Sequence, residues 1–98
     1  DMPKSAYAAN SQAKVAAAAV RGRFADAKTF PPRFQNICWS MLDDDDAVKV
    51  GGRYAPKEGK IASVEDFVSK PGEDASVRKM TQTENMGWYE GITADIFL

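Results

Sequence analysis

The stretch MPKSAYAANSQAKVAAAAV, residues 2–20, decides the fold expected for this chain of 98 residues. Alanine has the highest helix propensity because its side chain loses no rotamer freedom, so the stretch predicts a helix over residues 7–21. Ser5 is expected to cap the first turn, and Gly22 is expected to end the helix in a left-handed conformation.

Alanine side chains bury little apolar area, so this helix favours the close approach of another backbone or of a flat ligand. The positive end of the helix, at Ser5 to Tyr7, suits an anion or an electron-rich ring edge. From spacing alone, simple packing of the helix on a sheet is the more common arrangement.

Composition narrows the class of protein. Hydrophobic residues make up 44% of the chain and charged residues 28%, as in ordinary folded domains. With 13 basic and 14 acidic residues the net charge is -1, so the chain lacks the positive field that attracts nucleic acid or anionic membranes. No apolar run is long enough to span a membrane, and no signal-peptide pattern is present. Because Asp1 directly precedes a capped helix, we expect the chain to be cut from a longer one.

The residue types that are missing exclude several kinds of site. The chain has no histidine, which excludes histidine-based catalytic triads and histidine metal sites. Cys38 is the single cysteine, so neither an internal disulfide nor a thiolate zinc site can form, and no metal site is expected. The glycines are scattered, and nothing matches GxGxxG, so the chain does not bind a dinucleotide by itself in the Rossmann manner.

Three short strands are expected after a linker at residues 23–33, where Phe30-Pro31-Pro32 disfavours regular structure. The strands are predicted at residues 34–42, 47–55 and 60–64, and they would form an antiparallel meander. The acidic run at residues 43–46 is interpreted as a solvated turn rather than a cation site, and residues 56–59 as a second turn. The Gly51-Gly52 pair predicts a bulge or a close backbone approach.

Residues 65–72 are predicted as a loop that contributes at most one strand or helical turn. A second helix is expected from Glu73 or Asp74 to the end of the chain, with acidic residues in its first turn. Its apolar face would carry large side chains at helical spacing, namely Val77, Met80, Met86, Trp88, Tyr89, Ile92 and Ile96. Gly87 and Gly91 are expected to mark a break or a close approach. The predicted fold class is therefore α+β, with an alanine-rich N-terminal helix, a meander of about three strands and a C-terminal helix.

Three motifs in this order resemble a known family. They are MPKSAYAANSQAKV at residues 2–15, NICWS at residues 36–40 and WYEGITADIF at residues 88–97. Together they look like the C-terminal region of the flavoprotein subunit of flavocytochrome c sulfide dehydrogenases, which belong to the flavin oxidoreductases with two dinucleotide-binding domains.

The resemblance implies an FAD-dependent sulfide:cytochrome c oxidoreductase. Residues 1–22 would be the C-terminal helix of the FAD domain, residues 23–33 a linker, and residues 34–98 a small α+β domain that closes over the flavin and meets a cytochrome c subunit. In this family the helix aims its N-terminus at the pyrimidine edge of the flavin, so Lys4, Ser5, Ala6 and Tyr7 map onto the flavin contact. The family is periplasmic, and the chain alone would lack the remaining FAD/NAD-like domains needed for catalysis.

Cys38 has two interpretations. From the residues alone it is a small buried hydrophobe beside Trp39, because free cysteine is among the most buried residue types. The resemblance instead implies that Cys38 is one half of a redox-active cysteine pair, with its partner upstream of Asp1, and that sulfide opens this pair by thiol–disulfide exchange. Trp39 would then wall the flavin site, or it would pack in the core, as is the more common role for Trp88 and Tyr89.

A different class of function stays open. The chain could be a non-catalytic α+β module that holds a cytochrome or a second copy of itself. Because the first helix buries little of its own surface, we expect the isolated chain to self-associate or to leave apolar surface exposed.

Overall fold

A computed structural model of the chain describes residues 1–97. The elements in order are α1 (Ala6–Phe24), β1 (Phe34–Asp43), β2 (Asp46–Lys57), β3 (Lys60–Val68) and α2 (Ala75–Phe97). The three strands form one antiparallel sheet in the order β1-β2-β3. The predicted α+β fold is confirmed.

The chain divides into two compact units. The first contains Asp1–Cys38 and Gly51–Phe67, and therefore α1, the start of β1, the end of β2 and nearly all of β3. The second contains Trp39–Val50 and the chain from Val68 onward, and therefore the hairpin of β1 with β2 and α2.

In the first unit, α1 begins at the predicted cap. Ser5 has the extended backbone of an N-cap residue, and its Oγ accepts a hydrogen bond from the Ala8 amide at 3.1 Å. This bond satisfies one of the amides that a first turn leaves without a partner in the helix.

The far end of α1 differs from the prediction. Gly22 was expected to end the helix, which is wrong, because the helix continues to Phe24 and the Ala25 amide donates to the Arg21 carbonyl at 2.9 Å. A Cβ on Gly22 would lie 2.2 Å from Cγ2 of Thr29. Gly22 therefore makes room for the linker that folds back along the helix.

Both strand connections are tight. Asp44 and Asp45 join β1 to β2 and are exposed, as predicted for the acidic turn. The turn is shorter than the predicted residues 43–46, because Asp43 ends β1, and Asp46 begins β2 and pairs with Arg78. Glu58 and Gly59 join β2 to β3 with φ angles of 53° and 79°. Two successive left-handed residues are typical of the hairpin turn whose twist matches that of the strands.

The glycine pair in β2 lies where another backbone comes close, as predicted. A Cβ on Gly51 would lie 2.4 Å from the Asn36 carbonyl oxygen, and one on Gly52 would lie 2.9 Å from the Glu65 carbonyl oxygen. Neither neighbour is the end of a flexible side chain, so β2 keeps this register only with glycine at both positions.

Strand β3 is longer than the predicted residues 60–64, since it continues to Val68 through the first part of the expected loop. Arg53 of β2 forms an ion pair with Glu65 of β3. Oppositely charged pairs between neighbouring strands stabilise a sheet. The sequence of residues 65–68 alone does not predict this ion pair.

In the second unit, α2 is tied to the β1–β2 hairpin by charged and aromatic contacts. Arg78 forms a bidentate ion pair with Asp46, with nitrogen to oxygen distances of 2.6 and 3.0 Å. Lys49 pairs with Glu84 at 2.7 Å. The rings of Trp39 and Trp88 lie 5.8 Å apart, centre to centre.

The start of α2 differs in detail from the prediction. Glu73 and Asp74 precede the helix, so the expectation of acidic residues in its first turn was wrong. The Asp74 carbonyl oxygen accepts from the amides of Val77 and Arg78 at 3.0 and 3.2 Å. Asp74 therefore lies just before the helix, and its carbonyl oxygen accepts the first backbone hydrogen bonds of α2.

Two predictions about the interior of α2 were also wrong. The helix is continuous through Gly87 and Gly91, and a Cβ on either residue would meet no other segment of residues 1–97 within 4 Å. Its buried side chains are Thr81 and Gln82, whereas the large apolar residues of the predicted core face are mostly exposed, among them Val77, Met80, Met86, Tyr89 and Ile96.

The interior of residues 1–97 consists of small and polar side chains. The buried apolar residues are Ala8, Ala47 and Tyr54, and no large side chain of the described residues is fully buried. The expectation that apolar surface stays exposed agrees with this result. Neither α1 nor α2, over the residues described, combines the length and hydropathy needed to cross a membrane.

Candidate functional site

The candidate site lies in the first unit, where the start of α1 meets the start of β1. Ser5 Oγ accepts from the Ala8 amide and lies 2.5 Å from Oδ1 of Asn36. Because Oγ is already an acceptor for the helix, its proton is available for donation to Asn36. One hydroxyl therefore caps α1 and holds the Asn36 amide.

Asn36 connects this cap to the cysteine. Its side chain is 2% exposed, and its Nδ2 donates to Sγ of Cys38 at 3.6 Å. Residues two apart on a strand point to the same face, which is why the amide and the thiol meet on β1. A buried amide needs partners at both ends, and Ser5 and Cys38 provide them.

A second contact fixes α1 to β1. The Gln35 amide donates to Ser11 Oγ at 3.1 Å. Ser5 thus binds the side chain of Asn36, and Ser11 binds the backbone of Gln35, the residue before it. The register between α1 and β1 is set by these two hydroxyls.

A shallow, open surface groove of about 530 Å³ surrounds the N-terminus of α1. Its lining residues are Met2, Pro3, Lys4, Ser5, Ala6, Ala8, Ala9 and Gln12. The first turn of α1 carries no acidic residue, and Lys4 stands immediately before the cap residue Ser5. The helix dipole and Lys4 therefore both favour an anionic or electron-rich guest, which fits a flavin ring edge.

The structure brings together only some of the predicted site residues. Lys4, Ser5 and Ala6 line the groove, and Tyr7 is half-buried in the first turn. Cys38 is exposed, so its interpretation as a small buried hydrophobe was wrong. Trp39 belongs to the second unit, where it packs on Trp88.

Sequence reasoning missed Asn36 as a functional residue. It was quoted only within the motif NICWS, although it stands two residues before the cysteine on the same face of a predicted strand. This spacing is the signal that could have found it. Its burial and its bond to Ser5 depend on tertiary packing, which the motif does not reveal.

Comparison with known families shows the family of the chain. A family model described as flavocytochrome c sulphide dehydrogenase, flavin-binding, matches residues 30–97, which is more than half of the chain. The match contains Asn36 and Cys38, and it begins after Lys4 to Tyr7. It confirms the suspected family and the flavin cofactor, FAD. The chain belongs to the family of flavin-binding domains of flavocytochrome c sulphide dehydrogenases.

Proposed function

We propose that this chain is the part of an FAD-dependent oxidoreductase that lies against the flavin, and that the enzyme passes electrons from sulfide to a cytochrome c subunit. The main support is a chain of two hydrogen bonds that runs from Ser5, the cap of α1, through Asn36 to the exposed Cys38. This connection supports a shared site for the helix end and the thiol.

In this proposal Lys4, Ser5, Ala6 and Tyr7 contact the pyrimidine edge of the flavin. A reduced flavin carries negative charge at that edge, and a helix N-terminus stabilises such charge by roughly 0.3–1 kcal/mol, or up to about 2 kcal/mol when partly buried. For a two-electron couple about 1.4 kcal/mol corresponds to about 30 mV. The helix would therefore adjust the flavin potential modestly.

Cys38 would be one half of a redox-active cysteine pair whose other member lies outside this chain. Sulfide, as HS⁻, attacks one sulfur of the pair, the S–S bond breaks, and the other cysteine leaves as a thiolate. The flavin, when bound, would supply the acceptor for the two electrons and the proton that HS⁻ loses over a full turnover, and the sulfur would remain as sulfane sulfur. The exposure of Cys38 supports access of so small a nucleophile.

The domain organisation is part of the same proposal. Residues 1–22 would complete the FAD domain and residues 34–98 would form the domain that covers the flavin, with Trp39 as one wall of the site. The start of the family match at residue 30 supports a boundary within residues 23–33. A periplasmic location and a cytochrome partner follow from the kind of protein that carries this domain.

The test replaces Cys38 with serine in the full-length, flavin-loaded protein. We expect reduction of the flavin by sulfide to fall by two or more orders of magnitude, because the serine hydroxyl cannot form a disulfide, while FAD stays bound. Ser40→Ala, an exposed change on the same strand, is the control and should keep the full rate. Full sulfide-driven reduction in Cys38→Ser would overturn the redox role of the cysteine.

One observation favours a second function, that of a non-catalytic interaction module. The large apolar side chains of α2 are exposed to an extent that is unusual for a stable separate domain. The cysteine experiment separates the two functions. A module would bind its partner equally well with serine at position 38, and it would show no sulfide chemistry that depends on that residue.

A further inference from the structure

We propose that Asn36 is a positioning residue that links the N-terminus of α1 to Cys38, holding Sγ in place and stabilising negative charge on it. This inference rests on the proposed redox role of Cys38. It adds a residue that the cysteine depends on and that lies outside the flavin contact.

The hydrogen bonds fix which end of the amide faces the sulfur. Ser5 Oγ accepts from the Ala8 amide at 3.1 Å and gives its proton to Oδ1 of Asn36 at 2.5 Å. With Oδ1 held by this donor, the other end of the amide, Nδ2, points to Cys38 Sγ at 3.6 Å. The thiol therefore faces an N–H donor.

Packing leaves Asn36 little freedom to turn away. The side chain is 2% exposed, and the backbone on either side is fixed by the Gln35 bond to Ser11 and by the contact with Gly51. A donor that is already oriented needs no reorganisation when charge develops on its acceptor. Asn36 is thus prepared for a sulfur that alternates between a neutral and an anionic form.

The hydrogen bond from Asn36 to Cys38 affects the thiol–disulfide exchange step. As HS⁻ bonds to the sulfur of the other cysteine, the S–S bond breaks, and Cys38 departs with the bonding electron pair as a thiolate. The other cysteine keeps the incoming sulfur as a persulfide, R–S–SH. The Asn36 N–H stabilises the departing thiolate, and a better stabilised thiolate leaves faster.

Asn36→Asp tests the donor with almost no change of shape. The carboxylate can still accept from Ser5, but it presents an oxygen to the sulfur in place of the N–H. We expect Cys38 in the native chain to react with iodoacetamide at neutral pH about tenfold more slowly, since hydrogen bonds to charged groups are the stronger ones. Asn10→Asp, which adds the same charge to α1, is the matched control and should keep the wild-type rate.

The pH dependence separates charge stabilisation from simple access. The rates of Asn36→Asp and wild type should converge at alkaline pH, where thiols are deprotonated in either environment. A reduction by the same factor at every pH would mean a steric effect and would overturn the proposal. An unchanged or faster rate at neutral pH would also overturn it, because the sulfur would then have no N–H donor to lose.

A second pair of variants covers the case in which Asn36→Asp does not fold. Ser5→Ala releases Oδ1 and should slow alkylation of Cys38 at neutral pH by about two- to threefold, as expected for the loss of one neutral hydrogen bond that acts indirectly. Ser11→Ala removes the other hydrogen bond between α1 and β1, which holds the Gln35 backbone and not the Asn36 side chain, and it should slow alkylation less than Ser5→Ala does. Equal rates in both serine variants would contradict the link through Asn36.

These measurements need no flavin, so their outcome is independent of the proposed function. If Cys38→Ser retained sulfide-driven flavin reduction, the redox role of the cysteine would fail even though Asn36 controlled the thiol. If Asn36→Asp alkylated like Asn10→Asp, the positioning role would fail while the enzyme assignment stood.

Discussion

The carbonyl oxygen of Asn36 in β1 lies 2.4 Å from the position that a Cβ would take on Gly51 in β2. Side-chain carbons do not approach oxygens so closely, so the two strands can keep this spacing only while residue 51 is glycine. The same contact fixes the backbone of the residue that holds Cys38. Gly51 thereby supports the candidate site through the backbone of Asn36.

Gly51→Ala should destabilise the fold by about 1–3 kcal/mol, the usual cost of forcing extra volume into a packed position. Urea unfolding followed by circular dichroism measures the change. Gly59→Ala offers a comparison in which no neighbour lies within 4 Å but φ is 79°, so any loss there comes from backbone strain alone. Wild-type stability in Gly51→Ala would show that β1 and β2 adjust freely at this contact.

Gly87→Ala should have the opposite effect and stabilise α2 by up to about 1 kcal/mol, because alanine is the better helix former in an exposed helix interior. A Cβ at this position meets no other segment of residues 1–97 within 4 Å. The change is read from the thermal midpoint and the helical signal at 222 nm. A loss of stability would contradict the open space around this residue.

Asp46→Asn should lower the free energy of unfolding by at most about 1 kcal/mol. The side chains of Asp46 and Arg78 are 38% and 25% exposed, so water screens much of their attraction even though the ion pair is bidentate. Asp45→Asn, in the exposed turn next to it, is the control with the same change of charge. The difference between the two variants should shrink in 1 M salt, where the screening length is about 3 Å. A difference that persists at high salt would contradict an electrostatic origin.

The isolated chain should self-associate through its exposed apolar side chains. Ile96 and Met80 of α2 are 62% and 65% exposed, and burying such side chains contributes about 1.5–3 kcal/mol each. We expect sedimentation at micromolar concentration to give species larger than a monomer, and Ile96→Glu to shift them toward the monomer. Thr83→Glu, which adds the same single negative charge at an exposed polar position of α2, controls for charge alone. A monomer that binds no hydrophobic dye would contradict the prediction.

Local chemistry made much of the fold predictable. Ser5 could be identified as a cap from its place before an alanine run, and the start of β1 at Phe34 followed from the prolines before it. Features that depend on other segments were not accessible in this way. Gly22 serves close packing against Thr29 rather than a left-handed turn, and both uses favour the same residue.

The candidate site was predictable only in part, for a related reason. The family motif drew attention to Cys38, yet its exposure depends on how far along β1 the covering segments reach, since Asn36 on the same face is buried. Asn36 is polar and stands in a strand, so composition alone would place it at the surface. Its burial is the result of two partners, Ser5 and Cys38, that satisfy both ends of its amide.

The small and polar interior described above has a calorimetric consequence. Unfolding residues 1–97 would expose less hydrocarbon than is usual, since Tyr54, at 9% exposure, is the most enclosed of their large apolar side chains. The heat capacity increment that accompanies denaturation scales with that newly wetted hydrocarbon, so it should fall below the roughly 12–15 cal/mol/K per residue of ordinary domains. The stability curve of this chain would then be unusually flat, with warming and cooling altering its folded population only gradually.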